Sequence, residues 1–244
     1  MSAPAHQVAR VHALIQDEPD ARGDLVASSA TTADGLGRLC RAAVRAIPAT
    51  GAGVSLMDGD GNPGMGAASD STSEWIEELQ FVLGVGPCLE AFRLRRPVLA
   101  PDLSKDTDSR WPQYSSAAQD QGVQAVFAFP LQLGAARLGV LDVYRDTAGP
   151  LTLQGLSLAL TFAEVALMTV LDGQSRAEDG EAADGLDEAL EPRADVYQAQ
   201  GMVMVQLGVP LAEALVRLRA HAYATERRLV DVARDVVARR MVME

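Results

Sequence analysis

Apolar residues recur every three or four positions in several stretches of the chain, which is the spacing typical of amphipathic helices. The stretch nearest the N-terminus contains Val8, Val11, Leu14 and Ile15. A second stretch ends at Pro48, with Thr32 or Asp34 as its predicted cap. A third covers about 153–171. Each of these helices has an apolar face that another element must cover.

Extended segments separate these helices. "GAGVSLM" predicts a strand that stops in a turn, and "MGAAS" predicts its partner. The helix "EWIEELQFVL" follows, capped by Ser71 or Ser73, and then come the helical "CLEAFRLRR" and the extended "PVLAPDL". A helix around 111–121 precedes two strands joined by a turn near 134–136. This order predicts an α+β fold in which helices flank an antiparallel sheet.

The C-terminal segment carries the pattern of a three-helix bundle. "LGVP" separates the first two helices, "YATER" separates the last two, and Thr225 is the predicted cap of the third. The three apolar stripes are Val196, Ala199, Val203, Met204 and Leu207; Leu211, Ala214, Leu215, Leu218 and Ala222; and Leu229, Val232, Ala233, Val236, Val237 and Met241.

Gly201 lies inside the first of these helices, where glycine costs about 1 kcal/mol relative to alanine. One interpretation is that a residue without a side chain lets a neighbouring helix, or RNA, approach the helix closely. The alternative is a tolerated weak point with no further role.

The charge distribution divides the chain further. Residues 172–192 contain eight acids and one base, and residues 193–244 contain eight arginines and six acids, in a chain of net charge −12. Because phosphate repels an acidic protein, a polyanionic partner should meet the C-terminal segment. We predict an N-terminal helix and polar segment at 1–31, a sheet domain at 32–172, an acidic linker or connecting helix at 173–190 and the helical bundle at 191–244.

Several motifs that suggest chemistry fail in context. Gly59, Gly61 and Gly64 form GxGxxG, but Pro63 and a second strand follow where a phosphate-binding helix should begin. "DGDGNP" starts like a calcium loop and lacks its glycine and glutamate. Cys40 and Cys88 are predicted to be buried free thiols. We find no catalytic set and no metal-ligand spacing, so neither an enzyme nor a metal site is predicted.

The stretch "MSAPAHQVARVHALIQDE" lacks the basic flank and apolar centre of a signal peptide, and no run of about 18 uncharged apolar residues occurs. We therefore expect a soluble, cytoplasmic protein without a membrane contact.

Residues 35–171 resemble a GAF sensor domain of the version common in actinobacterial regulators. The matching pieces are "GAGVSLMDGDG", "GVGPCLEAFRLRRPVLAPDLSKDTDSRWPQY" and "GVQAVFAFPLQLGAARLGVLDVYRD". The resemblance implies a pocket over the sheet that accepts a small molecule. No cofactor is indicated, the ligand is unidentified, and the pocket residues stay unknown. The alternative is a pocket filled by side chains, in a domain that serves dimerisation.

The C-terminal segment resembles an ANTAR domain, a three-helix RNA-binding module of antitermination regulators. The match includes Ala199 and Gly201, the pairs "EA" and "LR" in the second helix, and "RRLVDVARDVV". Family members often have lysine where this chain has Gln200, and serine or threonine where it has Pro210. Losing that lysine removes a phosphate contact, whereas proline at a first helical turn costs little.

With the apolar stripes turned inward, the arginines of the segment lie outside, and arginine beside an aromatic ring suits phosphate contact and stacking on unpaired bases. A charged surface is more often only solvated, and acids lie near each arginine here. The resemblance favours RNA, and the predicted RNA-binding residues are Gln200, Gly201, Arg217, Tyr223, Arg227, Arg228 and Arg234.

The resemblance implies a regulator that binds paired leader hairpins, favours the antiterminator, and acts on RNA polymerase indirectly. Two hairpins suit a homodimer, with contacts expected from the N-terminal helix and the 153–171 helix. The rival hypothesis is a signal-responsive protein interaction module that does not bind RNA.

Overall fold

The five strands of the first unit form one sheet in which every neighbouring pair is antiparallel. The strands are β1 (Gly51–Met57), β2 (Pro63–Ala68), β3 (Val98–Ala100), β4 (Ala125–Leu133) and β5 (Ala136–Arg145). They lie in the order β2-β1-β5-β4-β3, so the long β4–β5 hairpin occupies the middle of the sheet together with β1. The predicted α+β class is confirmed.

The coordinates are a computed structural model, which describes residues 5–19, 31–57, 63–106, 110–134, 136–178, 186–225 and 227–243. The chain divides into two units, Met1–Leu186 and Asp187–Glu244. The tip of the β1–β2 hairpin, with Gly59 and Gly61, lies outside the described residues. Gly64, the last glycine of GxGxxG, pairs with Leu56 as part of β2, and no helix N-terminus begins there.

One face of the sheet is covered by α2 (Thr32–Ala46) and α7 (Leu153–Glu178), and α1 (Ala5–Gln16) packs against these two helices. Alternate residues of the strands meet these helices in one apolar cluster, in which Val54, Phe127, Leu141 and Phe162 are buried. The other face is covered by α3 (Ser71–Leu83), α4 (Pro87–Leu94), α5 (Leu103–Asp106) and α6 (Pro112–Asp120).

Helix α7 is apolar and extends beyond the predicted end at residue 171. By length and composition alone, Leu153–Arg176 could cross a membrane. More than half of that segment is buried inside the unit, where it packs against β4, β5 and α2. Its apolar character is therefore that of a core helix, which packs against both strands and neighbouring helices.

Three predicted caps were wrong by a short distance. Helix α2 is capped by Thr31, whose hydroxyl accepts from Asp34 N while the Asp34 carboxylate accepts from Thr31 N in a capping box. Helix α3 is capped by Asp70, not by Ser71 or Ser73. Thr225 ends the second helix of the C-terminal unit, where its hydroxyl donates to His221 O.

The C-terminal unit contains α8 (Leu186–Leu207), α9 (Leu211–Ala224) and α10 (Leu229–Val237). Gly208 adopts a φ of 63° after α8, and the axes of Ala194–Leu207 and Leu211–Ala224 differ by 106°. The three predicted helices are confirmed, but Met241 lies beyond the end of α10. The predicted connecting segment is helical on both sides of 179–185, which lie outside the described residues.

Candidate functional site

The core of the C-terminal unit fixes which of its residues face water. Val203 of α8, Leu218 of α9, and Leu229 and Val232 of α10 are completely buried. Helix α10 packs against α9 through this stripe. The fully buried positions belong to the predicted stripes, but Leu211 of the second stripe is 49% exposed. The buried stripe of α10 leaves Asp231 and Arg234 on its outer side.

The arginines of α10 and its flanks form exposed ion pairs. Arg227 reaches Asp235 at 2.6 Å, and Arg240 reaches the same carboxylate at 2.8 Å. Hydrogen bonds from Arg227 and then Arg240 lower the pKa of Asp235. Arg234 binds Asp195 of α8 at 3.0 Å. Exposed ion pairs of this kind contribute about 0–1 kcal/mol to folding stability. An RNA phosphate can therefore replace the carboxylate with only a small loss of stability.

The other predicted RNA-binding residues with exposed side chains lie on α9 and at the start of α10. Arg217 pairs with Glu213 one turn earlier at 2.9 Å, and Tyr223 is half-exposed near the end of α9. Arg228 is exposed and occupies the N-cap position of α10. The structure thus places Arg227, Arg228 and Arg234 along one short helix and its cap, with Arg217 and Tyr223 on the preceding one.

Gln200 has a different environment from the exposed arginines. Its side chain is buried, and its amide donates to Leu211 O at 2.8 Å, which ties α8 to the first residue of α9. A direct RNA contact by this side chain would require that bond to break. Glutamine also fits this buried position better than the family's lysine, because lysine is almost never fully buried without a partner.

An open groove of about 570 Å³ runs beside Gly201. The groove combines apolar side chains with two amides and one arginine, Arg239, and its lining residues are Gln198, Gly201, Met202, Val205, Gln206, Val236, Arg239, Met241 and Val242. Apart from its chain neighbours and the backbone of its own helix, no heavy atom of the described residues lies within 4 Å of a Cβ built at Gly201. No neighbouring helix among the described residues therefore approaches α8 at this glycine. The close approach that we predicted for Gly201 is thus not made by a helix of the described chain.

A second polar cluster lies inside the first unit, between the sheet and α3. Glu77 of α3 and Asp142 of β5 are buried, with Cys88 of α4 beside them. Ser55 Oγ donates to Glu77 Oε2 at 2.5 Å, and the Tyr144 hydroxyl donates to Glu77 Oε1. Burial raises the pKa of Glu77, and burial followed by the charge of Glu77 raises the pKa of Asp142.

Glutamine and glycine complete this cluster. Gln80 donates to Asp142 Oδ2 at 3.3 Å and accepts from Cys88 N at 2.8 Å, so it joins α3, α4 and β5. A Cβ at Gly53 would lie 2.5 Å from Glu77 Oε1 and 2.7 Å from Glu77 Cγ. The glycine in β1 therefore provides the space that the buried glutamate occupies.

Comparison with known protein families decides the identity of both units. A GAF domain matches residues 29–170, which is more than half of the chain, and an ANTAR domain matches residues 184–237. The chain belongs to the GAF domain family and ends in an ANTAR domain. GAF domains are sensor domains, and ANTAR domains are RNA-binding antitermination modules.

Solved structures agree with this assignment at the level of the fold. The GAF domain from Acinetobacter phosphoenolpyruvate-protein phosphotransferase has a TM-score of 0.52 at 13% identity, covering 71% of this chain and 96% of its own. The corresponding domain from Coxiella burnetii has a TM-score of 0.52 at 12% identity, covering 71% and 95%. A search of curated proteins finds no sequence that matches this chain.

Sequence reasoning missed the polar cluster of the GAF domain, although two signals were present. Asp142 is a single acid in the apolar run "LGVLDVY", and Ser73, Glu77 and Gln80 lie at helical spacing on the buried side of α3. It also left Arg239 out of the binding set. Arg239 has no ion pair among the described residues, and it borders the groove with a φ of 55°.

Gly53→Ala tests whether the glycine makes room for Glu77. We expect the GAF domain to lose about 1–3 kcal/mol of unfolding free energy, because Glu77 must move away from the new methyl group. Gly37→Ala is the matched control: its Cβ meets Arg41 at an ordinary 3.5 Å inside α2, so it should gain about 1 kcal/mol. Urea denaturation measures both changes, and equal effects of the two substitutions would contradict this account.

Proposed function

We propose that the protein is a cytoplasmic regulator whose ANTAR domain binds paired hairpins in leader RNA and thereby promotes transcription antitermination. The GAF domain acts as the sensor or the dimerisation module, and RNA polymerase is affected only indirectly. The observation that carries the proposal is the ANTAR match over 184–237 in a unit whose shortest helix is bordered by exposed arginines.

Arg234 of α10 and the two arginines directly before this helix supply the phosphate contacts in this proposal. Arg227, Arg228 and Arg234 are exposed, and the acids that pair with Arg227 and Arg234 are themselves partly open to solvent. A phosphate oxygen offers guanidinium the same geometry as a carboxylate. Binding therefore exchanges protein carboxylates for RNA phosphates without unfolding any element.

The groove beside Gly201 supplies the contact with unpaired bases. Its apolar walls include Met202 and Met241, its amides are Gln198 and Gln206, and Arg239 borders it. Unpaired loop bases are commonly read by apolar or aromatic contact together with hydrogen bonds to their edges. Gly201 keeps the groove open at its floor, and the half-exposed Tyr223 offers a ring for stacking.

Two hairpins require two ANTAR domains, and α7 of the GAF domain offers a surface for pairing. Leu160 and Met168 are 46% and 40% exposed on the side of α7 opposite its buried stripe. Helix α1 packs beside it, with Gln7 donating to Ser157 Oγ at 3.0 Å. A second copy that covers this face would link two RNA-binding units and raise their effective concentration.

One observation favours the rival function, a protein interaction module. Val205 and Val242, both in the groove, are 76% and 71% exposed, and exposed apolar side chains also suit a protein partner. The absence of RNA binding by a well-folded, dimeric protein would favour this rival.

Reversing Arg227 and Arg228 to glutamate should weaken binding of a two-hairpin leader RNA by more than about tenfold, since two phosphate contacts become repulsive. Gel shift and fluorescence anisotropy measure the affinity, and far-ultraviolet circular dichroism checks that α10 still forms. The control reverses Arg93 and Arg96, two exposed arginines of the GAF domain, which changes the net charge equally. Equal losses in both variants would mean that only overall charge matters.

Gly201→Ala should separate stability from binding. The ANTAR domain should gain up to about 1 kcal/mol, because alanine favours the helix and its Cβ meets no atom within 4 Å. RNA affinity should fall, because the methyl group narrows the groove. Thermal unfolding and RNA titration measure the two effects, and a stabilised variant with unchanged RNA affinity would show that Gly201 has no role in binding.

Replacing Leu160 and Met168 together by glutamate should convert the dimer into a monomer, because like charges would face each other across the interface. Sedimentation velocity over a range of concentrations measures the assembly state. Leu133→Glu, at a leucine on the β4–β5 hairpin that is 56% exposed, should leave the dimer intact. A wild-type monomer at every concentration would refute the interface.

A further inference from the structure

The buried polar cluster of the GAF domain brings together three groups of the kind that bind metal ions. Glu77 comes from α3, Cys88 from α4 and Asp142 from β5, and one donor atom from each lies within 4.8 Å of the others. All three side chains are buried, at 0–2% exposure. They therefore face one another in the interior, away from bulk water.

The described residues provide no paired positive charge for the cluster. Among the residues that the structure describes, no arginine or lysine forms an ion pair with Glu77 or Asp142. Two adjacent carboxylates deep in a protein cannot both stay ionised without a compensating charge. The compensation must come from bound protons or from a cation.

Two unsatisfied polar atoms favour a bound species beyond the protein itself. Asp142 Oδ1 and the Tyr114 hydroxyl are both fully buried, and neither has a hydrogen-bond partner in the described part of the chain. Tyr114 is buried in the same side-chain cluster as Cys88, between the sheet and the helices that cover this face. Buried polar groups in proteins nearly always have a hydrogen-bond partner or ligand, so these two oxygen atoms point to a bound species.

The distances limit that partner to a single ion or a water molecule. Ligand atoms at about 2.0–2.3 Å from a tetrahedral zinc ion lie roughly 3.3–3.8 Å from one another. The donor atoms here are within 4.8 Å of one another, which leaves no room between them for an organic molecule. A thiolate ligand selects zinc-like ions over magnesium or calcium, which prefer oxygen ligands alone.

We infer that Glu77, Cys88 and Asp142 form a binding site for one divalent transition-metal ion of the zinc type, with the Tyr114 hydroxyl beside it. On binding, the Cys88 thiol loses its proton to solvent, as does any proton held by the two carboxyl groups. The ion then links α3, α4 and β5. The ion is thus a ligand for the sensor domain, held by residues too far apart in sequence to form a recognisable motif.

Metal content and spectroscopy of the full-length protein test this site. After purification without chelators, mass spectrometry should find one zinc ion per chain, and zinc should raise the melting temperature of the chelator-treated protein. Cobalt(II) titration should give a thiolate-to-cobalt charge-transfer band. Cys88→Ser should abolish this band, whereas Cys40→Ser should keep it, because Cys40 is buried on the opposite face of the sheet.

Asp142→Asn distinguishes two hypotheses for the cluster: a metal site, or a structural pair of carboxyl groups that share protons. Asparagine keeps the size and can hydrogen-bond, so a structural pair would tolerate it, but it binds metal poorly. We expect zinc affinity to fall by more than about tenfold. If wild-type protein shows neither zinc-dependent melting nor a cobalt–thiolate band, the proposal is wrong and the cluster is a proton-sharing pair. That readout needs no variant to fold.

Discussion

The shortness of the last helix constrains the whole ANTAR domain. Helix α10 has nine residues, fewer than the roughly 12–15 that an isolated helix needs to be even marginally stable in water. It exists because Leu229, Val232 and Val236 are buried against the other helices. That packing leaves one side of α10 available to solvent, and this side carries Arg234 together with Asp231. Arg227 and the N-cap residue Arg228 precede the helix, so the packing that folds α10 also fixes where these arginines lie.

In the GAF domain, the alternation of side chains along a strand determines where the polar cluster lies. Leu141 and Val143 of β5 face the α2–α7 side, so Asp142 must face α3, where Glu77 also lies. Gly53 on the neighbouring strand makes the space for that glutamate. Burying the carboxyl groups of Glu77 and Asp142 in this apolar layer costs folding free energy, because a buried charge without a partner is unfavourable. A ligand that binds to the Glu77–Asp142 cluster would therefore change the charge at the centre of this domain.

Sequence alone predicted the elements that depend on periodicity, and missed the features that depend on tertiary contacts. The three ANTAR helices and the β4–β5 hairpin follow from apolar spacing. The caps were misplaced because neighbouring residues compete, as in "TT" before α2, where Thr31 and not Thr32 accepts the hydrogen bond. The Glu77–Asp142 contact joins residues far apart in sequence, so no local pattern contains it. Likewise, only the folded unit shows that Gln200 is buried.

The salt dependence of RNA binding by the intact protein tests the central claim most directly. If guanidinium–phosphate contacts drive binding, the affinity for a two-hairpin leader RNA should fall linearly on a log–log plot against salt concentration. The slope should become shallower by about two when Arg227 and Arg228, which directly precede α10, are replaced. A folded protein that binds no hairpin RNA at low salt, or binds it with no salt dependence, would contradict the account.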